Sequence, residues 1–181
     1  RLLLADARRR GDIATALALI DRLSGALVDA NSAAFLAAER EALLVQQALL
    51  LMLLGNVLVM GLVTIHQDRL DDMLANSSVM HMGYIFLGIA AGTELALKGA
   101  VVLMFAHGVS IALSFALCGR MRNQLGTLEF DKLGGLATHA PLLTVIFAFA
   151  AFASIGLPGL ANFAGEVMVF LGAFTYSPWI A

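Results

Sequence analysis

Residues other than Asp, Glu, Lys and Arg gather into long uninterrupted runs: Ala42 to Ile65, Met73 to Thr93, Gly99 to Gly119 and Leu133 to Gly165, with a shorter one from Val167 to Ala181. A helix rises about 1.5 Å per residue, so about 20 apolar residues cross about 30 Å of hydrocarbon. The first four runs meet that length and predict spanning helices, whereas the fifth falls short. Small charged clusters separate them, at Asp68 to Asp72, at Glu94 with Lys98, and from Arg120 to Lys132. Charged groups cost least at or beyond the headgroups, so these clusters are predicted loops. The fourth run is interrupted by Gly156-Leu157-Pro158-Gly159. Pro removes a backbone donor and Gly lacks helix preference, which predicts a break. Two forms stay open: a broken membrane helix, whose freed backbone groups need protein or cavity water, or a plain turn between two helices.

The first 41 residues follow another pattern. Arg1 to Glu41 carry six basic and six acidic side chains and no spanning run. Ile13, Leu17, Ile20 and Leu27 recur at helical spacing, and Asn31 or Ser32 is placed to cap a second helix starting near Ala33. Two amphipathic helices separated near Gly25 are therefore predicted, and their balanced charge favours ordinary packing over binding to anionic lipid. The expected fold is all-α: a polar helical arm over 1–41, then a polytopic transmembrane bundle of about four to five helices over 42–181, broken near Gly156–Gly159.

Composition sharpens the choice of solvent. Hydrophobic residues make up 60% and charged residues 13%, against about 45–50% and about 25% in ordinary soluble domains. Such a surface belongs in a bilayer. Intrinsic disorder is excluded, and a net charge of -2 removes the electrostatic case for a nucleic-acid partner. The lone Cys118 forms no internal disulfide, and no Cys/His spacing of metal-site type occurs. A start at Arg1 with no signal-type apolar core is expected of a fragment or processed piece.

Polar groups inside the predicted spans are the candidate chemistry, because each is expensive in hydrocarbon. Ser77, His81, Tyr84 and Gly88 share one face of the second span, and His107, Ser110, Ser114 and Cys118 share one face of the third. Two polar stripes are thus set to face each other. Imidazole titrates near neutrality and has two ring nitrogens, which suits proton transfer; the competing reading is a neutral histidine that ties helices together. Glu166 follows the break by less than two turns and stands four residues after Asn162. It is expected either near unwound backbone inside the bundle or at headgroup level. Lys98, at a helix start, either snorkels or joins a proton path. Asn56 and Thr64 are expected to bond across helices, and His139, beside Pro141, to lie at the interface. The loops after the first and third spans fall on one side and hold Arg69, Arg120, Arg122 and Lys132, against Lys98 opposite, which places that side in the cytoplasm.

Several blocks resemble one family. Ala75-Asn76-Ser77-Ser78-Val79-Met80-His81-Met82-Gly83-Tyr84 is similar to the A-Y-S-S-V-S-H-M-G segment of the proton-pumping, antiporter-like membrane subunits of respiratory complex I. Gly99-Ala100-Val101 with Ala106-His107-Gly108-Val109-Ser110 resembles that family's G-A-V...H-G-L-S helix, and Leu133-Gly134-Gly135-Leu136 its L-G-G-L loop. Gly156-Leu157-Pro158-Gly159-Leu160-Ala161-Asn162-Phe163-Ala164-Gly165-Glu166 resembles G-L-P-G-x-x-x-F-x-G-E, the form of the chain M branch, counterpart of mitochondrial subunit 4. The likeness runs from Leu49 to Phe174, leaving the arm unmatched. One departure stands out: the family's D-L-K-R lysine, counted in its proton path, aligns with Asp71 here, and the tyrosine after it with Asn76.

The resemblance implies a central portion of a longer membrane subunit of NADH:quinone oxidoreductase in a bacterial inner membrane. It also implies proton transport without redox chemistry in this chain, so that NADH, FMN, iron-sulfur clusters and quinone belong to other subunits. Partners would be adjoining membrane subunits of complex I, the bilayer and protons. His81, His107, Glu166, Asp71 and Lys98 are the expected proton-path residues. Two other assignments remain open: a subunit of a multisubunit sodium/proton antiporter or membrane-bound hydrogenase, and a truncated chain that conducts nothing.

Overall fold

A computed structural model describes residues 4, 6, 7, 12–26 and 30–176. In chain order its helices are α1 (Ile13–Ala26), α2 (Ala30–Ile65), α3 (Leu70–Ala91), α4 (Glu94–Leu125), α5 (Leu136–His139), α6 (Pro141–Ser154) and α7 (Ala161–Tyr176), with a 3-10 turn at Phe130–Lys132 before α5. Ser32–Ile65, Leu70–Ala91 and Glu94–Leu125 are long and apolar enough to cross a membrane. Their outward faces carry bare apolar side chains; Met52, Ile65 and Phe105 are 73%, 74% and 76% exposed. Burial fails there because the facing medium is lipid, and the chain is an integral membrane helix bundle.

The arm departs from expectation at its second helix. That helix and the first span are a single helix, α2, 36 residues long and thus about 54 Å at a rise of about 1.5 Å per residue. Glu39, Arg40 and Glu41 are good helix formers, and neither Gly nor Pro occurs from Ala30 to Leu54. The charges therefore set where α2 leaves the lipid, not where it ends. Asn31 and Ser32 lie inside the helix, not at a cap before it. Asp12 caps α1, its Oδ1 accepting from Thr15 N at 2.9 Å. Ala16 and Ile20 bury α1 against Leu36 and Leu43 of α2, so the arm packs as a helical hairpin. Leu27 lies outside the described residues.

The two loops expected on one side do meet. Leu70 N donates to Leu128 O at 2.9 Å and Phe130 N to Asp68 O at 3.0 Å, pairing Arg69 with Glu129 in a short antiparallel bridge. Beside it, Asp71 Oδ2 accepts from Arg69 at 3.0 Å and from Arg122 of α4.

Helix α4 is the spine on which the rest is read. Along α6 and α7, Leu143 and Phe147 pack with Cys118 and Met121, Asn162 reaches Ser110, Gly165 lies on Leu103, and Gly172 lies on Ala96. The partners descend α4 steadily, so α6 and α7 run in one direction and together make one broken crossing. The plain-turn form is thereby set aside. The run Leu133 to Gly165 does not form one span, since its first residues make the loop and α5. From Val167 to Tyr176 the fifth run is part of α7, which continues through Glu166 because that carboxylate meets an imidazole inside the bundle.

The break has a local cause. Leu157 N donates to Phe152 O and Gly156 N to Ala153 O, the paired bonds of a Schellman cap, with Gly156 at φ 73°. Pro158 and Gly159 (φ 100°) then take the central places of a turn closed by Leu160 N to Leu157 O at 3.1 Å. Pro first and a left-handed Gly second is the type II pattern.

Candidate functional site

His81 lies at the twelfth position of the 22-residue α3, about 17 Å along the helix from Leu70. Its Nδ1 is 2.8 Å from Ser77 O. A carbonyl only accepts, so Nδ1 carries a proton and Nε2 is the free ring position. Nε2 faces Glu166 Oε1 at 3.6 Å. That pair is favourable only with a proton between them, on the imidazole or on the carboxyl. Glu166 fits because Gly156 has no side chain: a Cβ there would collide with its carboxylate. Tyr84 OH donates to Glu166 O at 3.4 Å, holding the same turn of α7 against α3.

On the other side of His81 stands His107, stacked on it with ring centroids 4.5 Å apart and planes 13° from parallel. Ser78 Oγ lies 3.1 Å from His107 Nε2, a bond between α3 and α4. Both imidazoles are buried, at 6% and 3% exposure. Two unit charges at that spacing repel by about 4 kcal/mol at an effective dielectric of about 20. One proton on the pair therefore discourages a second, and Glu166 offers the compensating charge. A cavity of about 540 Å³ opens on His81 and Glu166, with Thr64, Ser77, Tyr84, Ser114 and Ser154 supplying the rest of its polar lining. The arrangement can hold one proton on the carboxylate–imidazole pair, with the second ring stacked so closely that it feels the charge of the first.

Asn162 completes the surroundings. It is 2% exposed, and its Nδ2 donates to Ala153 O at 2.6 Å and to Ser110 Oγ at 3.2 Å. Ser110 Oγ in turn donates to His107 O at 3.1 Å.

Of the residues named from sequence, the structure brings His81, His107 and Glu166 together and leaves two apart. Lys98 is 63% exposed and pairs with Glu94 at 2.6 Å on its own helix. Asp71 is held by Arg69 and Arg122 at the loop end, ten residues before His81, about 15 Å along α3. Nearby, outside the spans, a hydrogen bond from Lys132 holds the Glu129 carboxyl below its usual value of 4.5. Thr64 does not bond across helices: its hydroxyl donates to Met60 O, satisfying its own helix first. Asn56 does pack across, onto Gly83 of α3, although its Oδ1 finds no partner among the described residues. His139 is exposed at the end of α5, within 2.9 Å of Thr138 Oγ1. No group of three potential metal ligands occurs among the described residues. Sequence reasoning missed Ser78, whose only signal is adjacency to Ser77, and used Asn162 only to locate Glu166.

The membrane family described as NADH:quinone oxidoreductase/Mrp antiporter, TM, matches residues 23–181. The chain belongs to that family. The match begins well before Leu49, so part of the arm, from residue 23, lies within it. Subunit M of the NADH-quinone oxidoreductase of Pseudomonas aeruginosa is 44% identical over 120 residues, which is 66% of this chain and 24% of that protein. The subunit of that name in Escherichia coli K12 is 39% identical over 114 residues, 63% of this chain and 22% of its own. The F(420)H(2) dehydrogenase subunit M of Methanosarcina mazei is 39% identical over 132 residues, 72% of this chain and 27% of its own. The chain thus spans about a quarter of the length of the curated relatives it matches.

Proposed function

We propose that this chain is part of a proton-translocating membrane subunit of an NADH:quinone oxidoreductase, and that Glu166, His81 and His107 are its mid-membrane proton relay. The stacked imidazoles with a carboxylate at 3.6 Å carry this reading. A proton on the Glu166–His81 pair disfavours one on His107, and its departure favours one there, because simultaneous charges on the two rings cost about 4 kcal/mol. Occupancy of one site therefore controls the next, and an outside change in charge can drive the transfer. Asp71 and Lys98, at opposite ends of the bundle, are assigned to the mouths of that path.

Redox chemistry belongs to other subunits in this reading: NADH, FMN, iron-sulfur clusters and quinone bind elsewhere, and adjoining membrane subunits are the partners. The membrane is a bacterial inner membrane, with the Arg69/Arg122 end in the cytoplasm. Residues 1–41 act as a packed arm on the bundle of 42–181. The test replaces His107 with Ala in the full-length subunit within its assembled complex and measures protons moved per electron. A reduced ratio with electron transfer retained supports the relay; an unchanged ratio and rate refute it.

A further inference from the structure

The geometry points to Asn162 as the positioning residue of this relay: its amide ties the helix break to the backbone of His107 and thereby aims Glu166 at His81. The inference rests on the proposed function and adds a residue to it. Three observations carry it. The first is the identity of the bonds. Ala153 O is a carbonyl of the cap that ends α6, and Asn162 Nδ2 is bound to it at 2.6 Å while Gly156 N binds it at 3.3 Å. The amide thus joins the last turn of α6 to the first turn of α7 across the break.

The second observation is direction. Ser110 spends its hydroxyl proton on His107 O, so toward Asn162 it presents a lone pair and the amide must donate. Both partners of the Asn162 nitrogen are acceptors, which fixes the amide orientation and runs a continuous chain of bonds from α6 through α7 to His107 on α4. The third is register. Glu166 follows Asn162 by four residues, one helical turn, on the same face of α7. Holding Asn162 therefore holds the azimuth of Glu166, whose carboxylate fits against Gly156 and 3.6 Å from His81. A residue needed only to fill space there would not have to be a buried amide, whose Oδ1 finds no partner among the described residues while Nδ2 makes both bonds.

The test uses the full-length subunit in its assembled complex, reconstituted in vesicles, with pumping rate per electron measured for four proteins: native, Asn162→Ala, Glu166→Gln and the double variant. Acting through Glu166, Asn162→Ala lowers pumping about tenfold in the native background and adds less than about twofold once Glu166 is already Gln. Asn162→Leu, which keeps the volume and removes the donors, behaves like Asn162→Ala. Equal losses in both backgrounds, native pumping by Asn162→Leu, or failure of both Asn162 variants to assemble would each overturn the positioning role. If Glu166→Gln itself pumps normally, the relay fails and not merely its positioning.

Discussion

The close passage of α7 along α4 makes a quantitative demand on Gly165. A Cβ built there would stand 2.9 Å from Leu103 N and Cβ and 3.0 Å from Leu103 Cα. Ordinary contact begins at 3.4 Å, so the helices must part by 0.5 Å, and a backbone cannot rotate away as a side-chain end can. Overpacking of this kind costs about 1–3 kcal/mol. Gly108 supplies the control, because nothing lies within 4 Å of a Cβ at that position and it too is inside a helix. Both Gly→Ala changes gain the same helix preference, about 1 kcal/mol. Comparing them isolates the clash. In the full-length subunit purified in detergent and unfolded by titration with a denaturing detergent, Gly165→Ala should have a folded/unfolded ratio lower than Gly108→Ala by roughly 5- to 150-fold. Equal stability of the two variants would refute the close α4–α7 contact and with it the lateral placement of Glu166.

Gly156→Ala forces a Cβ both into left-handed backbone at φ 73° and against the Glu166 carboxylate; it should cost about 1–2 kcal/mol of stability and lower pumping in the assembled complex, while normal pumping would contradict the fit. Asp71→Ala leaves Arg69 and Arg122 facing each other without their shared acceptor; a stability loss of about 1 kcal/mol, diminished by salt, is expected from denaturation at low and high ionic strength. Asp12→Ala removes the cap of α1 and should cost about 1 kcal/mol, read as faster amide exchange over Ile13–Ala26. The hydrogen bonds from Thr15 hold the Asp12 carboxyl below its usual 3.8, so the cap's contribution is present above that value and is lost as pH falls through the lowered one; exchange in α1 should quicken on acidification in the native protein but not in the variant.

The patterns that were legible in the sequence are those set by short-range geometry. The polar stripes through His81 and His107 follow from helical spacing, and Gly156-Leu157-Pro158-Gly159 announces its cap and turn because only a few residue types satisfy those dihedrals. What long-range packing decides was not legible. Nothing in the sequence from Val167 onward says that the residues to Tyr176 continue a half-helix begun at Ala161, since that depends on α4 accepting both halves in turn. The charges at Glu39 to Glu41 read as an end to the first span because side-chain polarity marks the water boundary, whereas helix continuity depends on backbone preference. Ser78 escaped notice because two adjacent serines offer two faces, and only the position of α4 selects the one that reaches His107. Lys98 and Asp71 carry charges that suggest a pathway, yet their partners, Glu94 on one turn of helix and the two arginines at the loop end, hold them away from the buried cluster.

The most direct measurement of the relay is infrared difference spectroscopy of the full-length complex between resting and turning-over states, with Glu166→Gln and His81→Ala as assignments. A carboxyl signal should change on turnover, vanish in Glu166→Gln and shift in His81→Ala. A native spectrum with no Glu166 contribution, in a complex that pumps at its full rate, would contradict a proton held between that carboxylate and the stacked imidazoles.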